Sequence, residues 1–182
     1  MPITNTQELF LHELAETYDA EHRFLEGQAA MVNRATDEEL QSSIENHIYQ
    51  TRQHIGNLEQ VFRELGEEPR RETNEVSQGL VNEAQVIMQE TQSDALRNCA
   101  INAAVIKVEY FEIASYRGLV TGAQLMGQTK VVELLNANQG QEEETAQIAE
   151  QSAEKLLWQA MQAEEPEPEG LIDKLRNRFT GQ

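Results

Sequence analysis

Proline is almost missing from this sequence: of 182 residues four are proline, and none falls between Pro2 and Pro69 or between Pro69 and Pro166. Nothing in either stretch deletes a helix hydrogen bond or forces a break. Cysteine is rarer still. Cys99 stands alone, which excludes an intramolecular disulfide framework and suits a reducing compartment, and its Ala and Ile neighbours predict a buried thiol. Positive charge is scarce as well, with Lys+Arg 14 against Asp+Glu 32 and a net charge of -18. Such a surface repels phosphate, so no nucleic-acid partner is expected; it attracts cations, and it equally keeps a helical surface solvated. No basic leader with an apolar core opens the sequence and no apolar run approaches bilayer length, so the expectation is a soluble, cytoplasmic protein.

What is plentiful is Gln, Glu, Ala and Leu, the residues of long helices, in a length that fits one domain. The fold class expected is all-α. A first helix begins at Asn5 or Thr6 and runs to about Ala35, with a seam of Phe10, Leu14, Thr17 or Tyr18, Glu21, Leu25, Gln28 and Val32. A second starts at Thr36, whose spacing to Glu39 is that of a capping box, and ends near Gly66 ahead of Pro69. Its seam is Leu40, Ile44, His47, Thr51, His54, Leu58, Val61 or Phe62, and Leu65. A shorter accessory helix carries Val76, Leu80, Ala84, Ile87 and Met88. Ser93 then caps a third long helix to about residue 126, with Val105, Glu109, Glu112, Tyr116, Leu119 and Ala123 on one side. The fourth runs from about Gln128 to Met161 along Val131, Leu135, Asn138, Glu142, Thr145, Ala149, Ser152 and Leu156, and Gly140 within it suggests a close backbone approach or a bend.

The bundle therefore occupies residues 1–162. Residues 163–169 read as an acidic, Pro-containing linker, and 170–182 as a short amphipathic C-terminal peptide with Leu171, Ile172, Leu175 and Phe179 on one side and Lys174, Arg176 and Arg178 as its basic residues. Residues 170–179 are a candidate contact for a partner groove or an anionic membrane, with a marginal accessory helix as the alternative.

Glutamates inside apolar seams require protons, basic partners or a metal ion, because an uncompensated buried carboxylate costs several kcal/mol. Lys107 and Arg23 each lie two residues from a seam glutamate and so point away from it. An oxygen-rich cluster with imidazole suits iron or manganese. A lone seam glutamate is more often a solvated residue near a bundle end, but Glu21, Glu109, Glu112 and Glu142 recur in register on three helices. His47 and His54 are seven residues apart and reach one ion only through a bend, so one ligand at most is expected from them, His54 in preference, with His47 a hydrogen-bonded core residue. His12 and His22 fall off the seam and are expected at the surface.

These residues resemble the YciE/YciF-like family of stress-associated proteins with a ferritin-like bundle. The likeness is carried by the run from Thr6 to Glu21, by the segment from Lys107 to Tyr116, and by Gly79 to Ala84, and it covers about residues 5 to 160. The resemblance implies a ferritin-like four-helix bundle with a short accessory helix and a C-terminal tail, a homodimer, and a di-iron or related dinuclear site with oxidoreductase chemistry as one reading. Glu21, Glu109, Glu112 and Glu142 match the family's carboxylates and His54 a His or Gln position, while Tyr18 and Tyr116 are placed to hydrogen-bond the ligands. The chain departs from the family at Gln50, where a second-helix glutamate is usual, and in a fourth helix thinned at Asn138, Gly140, Gln141 and Ala146. His47 and Gln50 are therefore secondary ligand candidates, and dinuclear, mononuclear and vacant sites all stay open. Two functions follow: an iron or manganese protein acting in oxidative or general stress, or a non-enzymatic dimeric scaffold with a degenerate site and a docking peptide.

Overall fold

The computed structural model describes residues 2–164. They form five helices and, among the described residues, no strand: α1 Thr6–Val32, α2 Glu38–Glu64, α3 Glu75–Glu90, α4 Asp94–Leu125 and α5 Thr129–Glu164. Asn5 caps α1 and Ser93 caps α4, each side chain accepting a hydrogen bond from the third residue onward. At α2 the cap is Asp37, which accepts from Leu40 N at 3.0 Å, and not Thr36. Thr36 is engaged elsewhere, its backbone N donating to Asn98 Oδ1 at 2.9 Å. Gly66 and Gly127, with φ of 75° and 70°, turn the chain after α2 and α4 in the left-handed region that glycine enters without a Cβ penalty. Helix α5 continues through Glu164, so residues 163 and 164, expected in the linker, are helical; the rest of the acidic segment and the peptide of 170–182 lie outside the described residues.

The four long helices make a ferritin-like bundle, a square in which every side is antiparallel. Gln28 meets Thr51 and Tyr18 meets Glu59 between α1 and α2; Asn57 meets Asn138 and Glu39 meets Lys155 between α2 and α5. Asn102 meets Ala149 between α4 and α5, and Phe24 packs edge-on against Phe111 between α1 and α4. That pattern makes α2 and α4 parallel, so the chain must travel the length of the bundle between them. The accessory helix α3 makes this crossing in the groove of α1 and α4, with Arg23 bound to Gln78 and Lys107 to Glu83. The start of the crossing is clamped by Asp19 of α1, 3% exposed, which accepts from Arg71 Nε at 2.8 Å, Asn74 N at 3.0 Å and Arg23 Nε at 2.6 Å. Burial alone would raise the Asp19 carboxyl; the bonds from Arg23, Asn74 and Arg71 hold it below its ordinary range.

Two apolar clusters fill the ends of the bundle. One gathers Phe10, Leu14, Leu58, Phe62, Leu119 and Leu135; the other gathers Met31, Leu40, Ile44, Ile101, Val105 and Leu156. The seams differ from the expectation by single positions. Phe24 and Met31 are buried where Leu25 and Val32 are half-buried, since one residue turns a helix face by 100° and Phe24 finds Phe111 to pack on. In α3 the buried positions are Ser77, Ala84 and Met88, whereas Val76 and Ile87 are exposed, because this helix touches the bundle only along the α1/α4 groove. Cys99 is half-buried rather than buried, and His12 and His22 are half-buried rather than superficial, His22 lying edge-on to Tyr18.

Gly140 shows no close approach: a Cβ there would meet nothing within 4 Å. The close approach is at Gly122, where a Cβ would lie 2.8 Å from the ring of Phe10. Gly140→Ala should therefore stabilise by up to about 1 kcal/mol through helix propensity, whereas Gly122→Ala should destabilise, overpacking of about 1–3 kcal/mol outweighing the same gain. Chemical denaturation of the pair reads both signs, and equal stabilisation by the two would contradict the packing described.

Candidate metal centre

Between the two apolar ends lies a layer of ionisable side chains. Glu21 of α1, His47 and His54 of α2, Glu109 and Glu112 of α4 and Glu142 of α5 are each no more than 2% exposed. Helical periodicity delivers them. Glu109 and Glu112 are three apart, and His47 and His54 seven apart, so each pair shares one inward face.

They form two groups that share Glu142: His47, Glu109, Glu112 and Glu142, and Glu21, His54 and Glu142, with one ligand atom from each residue lying within 4.8 Å of the others in its group. His47 Nε2 is 3.1 Å from Glu109 Oε1 and 3.6 Å from Glu142 Oε2. His54 Nδ1 is 2.9 Å from Glu142 Oε1 and 3.5 Å from Glu21 Oε1. Proximity here is not hydrogen bonding. His47 Nε2, His54 Nδ1, both oxygens of Glu112 and Glu142, and one oxygen each of Glu21 and Glu109 are buried with no aligned hydrogen-bond partner. Lone pairs that converge without pairing are what ligation of a cation requires, and unsatisfied buried carboxylates are otherwise costly.

The outer nitrogens of the imidazoles are held. His54 Nε2 donates to Gln141 Oε1 at 2.7 Å, and His47 Nδ1 lies 3.4 Å from both Gln50 Oε1 and Thr145 Oγ1. This orientation leaves Nδ1 of His54 and Nε2 of His47 facing the carboxylates. Tyr116 OH donates to Glu21 Oε1 and accepts from Asn138 Nδ2 at 3.0 Å, and Asn138 Nδ2 also reaches His54 O at 3.3 Å.

The electrostatics follow from dryness. Burial raises the pKa of all four glutamates, Glu109 to about 8 and Glu112 well above the carboxylate range, where Glu142, Glu21 and Glu109 add repulsion. For His54 burial works downward, but Glu142 and Glu21 overcome it and raise it to about 11. Burial and the neighbouring carboxylates also push Tyr116 well above its usual value.

The structure thus brings together Glu21, His54, Glu109, Glu112 and Glu142, and with them His47, the secondary candidate. The expectation of one histidine at most assumed a single ion; the rings, 6.4 Å apart, each face a group of their own. Gln50 faces His47 and belongs to neither group. Tyr116 touches a cluster carboxylate, but Tyr18 does not: its hydroxyl donates to Glu59 at 3.1 Å. Gln141 and Asn138 were not read as supporting residues. Asn138 was at least visible as a polar seam residue, whereas the bond of Gln141 depends on the register of α5 against α2.

Fold and site define a class, a four-helix bundle whose buried carboxylate–histidine cluster can hold a metal ion. The chain belongs to the family described as domain of unknown function DUF892, which its residues 5–162 match. It is 30% identical over 146 residues to protein YciF of Escherichia coli K12, covering 80% of this chain and 88% of that protein. The crystal structure of the Escherichia coli stress protein YciF aligns with a TM-score of 0.82 at 28% identity, covering 85% of this chain and 98% of that one. YcfI of Rhodopseudomonas palustris, described as a putative structural protein, aligns at 0.80 and 29% identity over 81% and 94% of the two chains.

Groups with raised native pKa values bind protons more tightly folded than unfolded, so their contribution to stability is fully present below the unfolded pKa and is lost as pH rises through the folded one. For Glu109 that window runs upward from 4.5 to about 8, and for His54 from 6.5 to about 11. The chelator-treated protein should therefore melt at lower temperature at pH 8 than at pH 5.5. A melting temperature that rises across this interval would show that the cluster is not dry.

Proposed function

We propose that this protein binds two divalent ions, iron or manganese, in the bundle core, where Glu142 would serve both sets of donors. His47, Glu109 and Glu112 complete one position and Glu21 and His54 the other. The observation that carries this reading is the convergence of buried nitrogen and oxygen atoms that make no hydrogen bonds to one another. Charge supports it: four ionised glutamates and two neutral imidazoles balance two divalent cations, leaving no net charge in a dry layer. Oxygen donors with imidazole favour iron and manganese over soft metals, and bundle cores hold such ions from facing helices.

When bound, such ions supply redox and Lewis-acid chemistry toward oxygen species. The residues of this chain do the rest. Gln141 and Gln50 orient the two imidazoles, Tyr116 positions Glu21, and the apolar ends exclude water. With a relative described as a stress protein, the role this supports is protection against oxidative or general stress, in a cytoplasmic homodimer. Among the described residues no helix is long and apolar enough to cross a membrane. The exposed Leu157, Trp158 and Met161 on one face of α5 suit burial against a second copy.

The second reading, a scaffold with a degenerate site, is favoured by the His54–Glu142 contact, which partly neutralises the cluster without metal. Elemental analysis of protein purified without chelators separates the two. The metal reading expects close to two ions per chain and, at ligand concentrations a hundredfold above Kd, stabilisation of about 2.7 kcal/mol on adding iron(II) or manganese(II). His47→Ala should leave one ion and Glu142→Ala none. No bound metal together with no change in melting temperature would leave the scaffold.

A further inference from the structure

A cavity of about 20 Å³ lies inside the bundle against His47 and Glu109. All four long helices wall it, Met31 from α1 and Ala149 from α5 among its lining. Half-buried Ser43 of α2, Val81 of α3 and Ser152 of α5 also line it, so it reaches toward the surface at those residues. A water needs roughly 10–15 Å³ measured this way, so the space admits one small molecule and little more.

One wall residue is unsatisfied. Asn102, 2% exposed, stands seven residues from Glu109 on the same face of α4. Its Nδ2 donates to Ala149 O at 2.9 Å, which fixes the amide orientation, and its Oδ1 is buried with no partner. A buried acceptor calls for a donor. The occupant must therefore be small, able to donate a hydrogen bond, and uncharged, since apolar walls oppose an ion and the nearby carboxylates repel an anion. Dioxygen has the size but no hydrogen to donate.

Resting on the reading of the cluster as a metal centre, we propose that this cavity is the port by which hydrogen peroxide reaches the His47–Glu109 side of the centre, with Asn102 Oδ1 accepting one of its hydrogens. Water is the molecule that peroxide displaces there. On the cluster's other side Tyr116 is bonded to Glu21, and Leu14 and Leu58 belong to the neighbouring apolar core.

Met31 makes the port testable without metal. It is 4% exposed and lines the cavity, while Met88, 5% exposed, lies outside it and lines a separate pocket between α1 and α3. Peroxide converts a thioether to a sulfoxide: the O–O bond breaks, one oxygen bonds to sulfur, which is oxidised by two electrons, and the other leaves as water. In the metal-free full-length protein treated with hydrogen peroxide, peptide mass spectrometry should find Met31 oxidised about as fast as Met88, which lines a larger pocket of its own. Ala149→Leu, which fills the cavity, and Ser152→Leu, a milder block at the mouth in case the first overpacks, should each slow Met31 oxidation about fivefold without changing Met88. Asn102→Leu should slow it as well, through loss of the acceptor. Met31 reacting at least about fivefold more slowly than Met88, or reacting equally fast in all three variants, would overturn the port. Metal content is read separately: cavity-dependent oxidation of Met31 in a chain that binds no metal would retain the peroxide site and remove the centre it was to serve.

Discussion

Four carboxylates share one buried layer between two apolar ends, and His47, His54, Asn138 and Thr145 are placed against it. Left uncompensated, each would cost several kcal/mol, a large part of the stability of a domain this size. The metal-free chain meets the demand with protons and with His54, whose imidazole lies between Glu142 and Glu21. The supporting bonds fall on the outer edges of the ligand residues. Gln141 takes the far nitrogen of His54, Tyr116 takes one oxygen of Glu21, and Asn138 holds Tyr116 in turn, while both oxygens of Glu112 and Glu142 stay unpaired at the centre.

Assembling that layer depends on the path of the chain. Antiparallel packing on every side of the square makes α2 and α4 parallel, which forces a crossing the length of the bundle. Asp19 fastens the start of that crossing through Arg71 and Asn74, and it lies two residues before Glu21 on the same helix. The clamp thus fixes α1 against the crossing within one turn of a cluster carboxylate. Fold and site are joined at that point.

Much of this was legible in the sequence because helical periodicity is a strong signal where a polar residue interrupts an apolar stripe. Glu21, Glu109, Glu112 and Glu142 stood out for that reason, and so did the shared face of His47 and His54. What periodicity cannot carry is the register between helices. Whether two histidines seven residues apart serve one position or two depends on where Glu109 and Glu21 fall opposite them, and that is set by the packing of α4 and α1 on α2. Tyr18 and Thr17 were equivalent by spacing, and the structure turns Tyr18 outward to Glu59. Gly140 interrupts a helical run without a close neighbour, whereas the close approach is at Gly122, visible only once Phe10 is placed against it.

The two groups joined by Glu142 are unequal. The one containing Glu109 and Glu112 has two carboxylates besides the shared one, a histidine whose far nitrogen is held only by contacts of 3.4 Å, and a cavity beside it. The one containing Glu21 has a single further carboxylate, a histidine fixed by a bond of 2.7 Å, and Tyr116 bonded to Glu21. A position rich in anionic donors with room beside it can accept both a cation and a second small molecule, whereas a rigid, closed position can hold a cation but offers no approach. Glu142 belongs to both groups, so the two share one carboxylate. The polar supports are thus asymmetric: the imidazole on the His47 side is loosely held beside a cavity, and the one on the His54 side is firmly held.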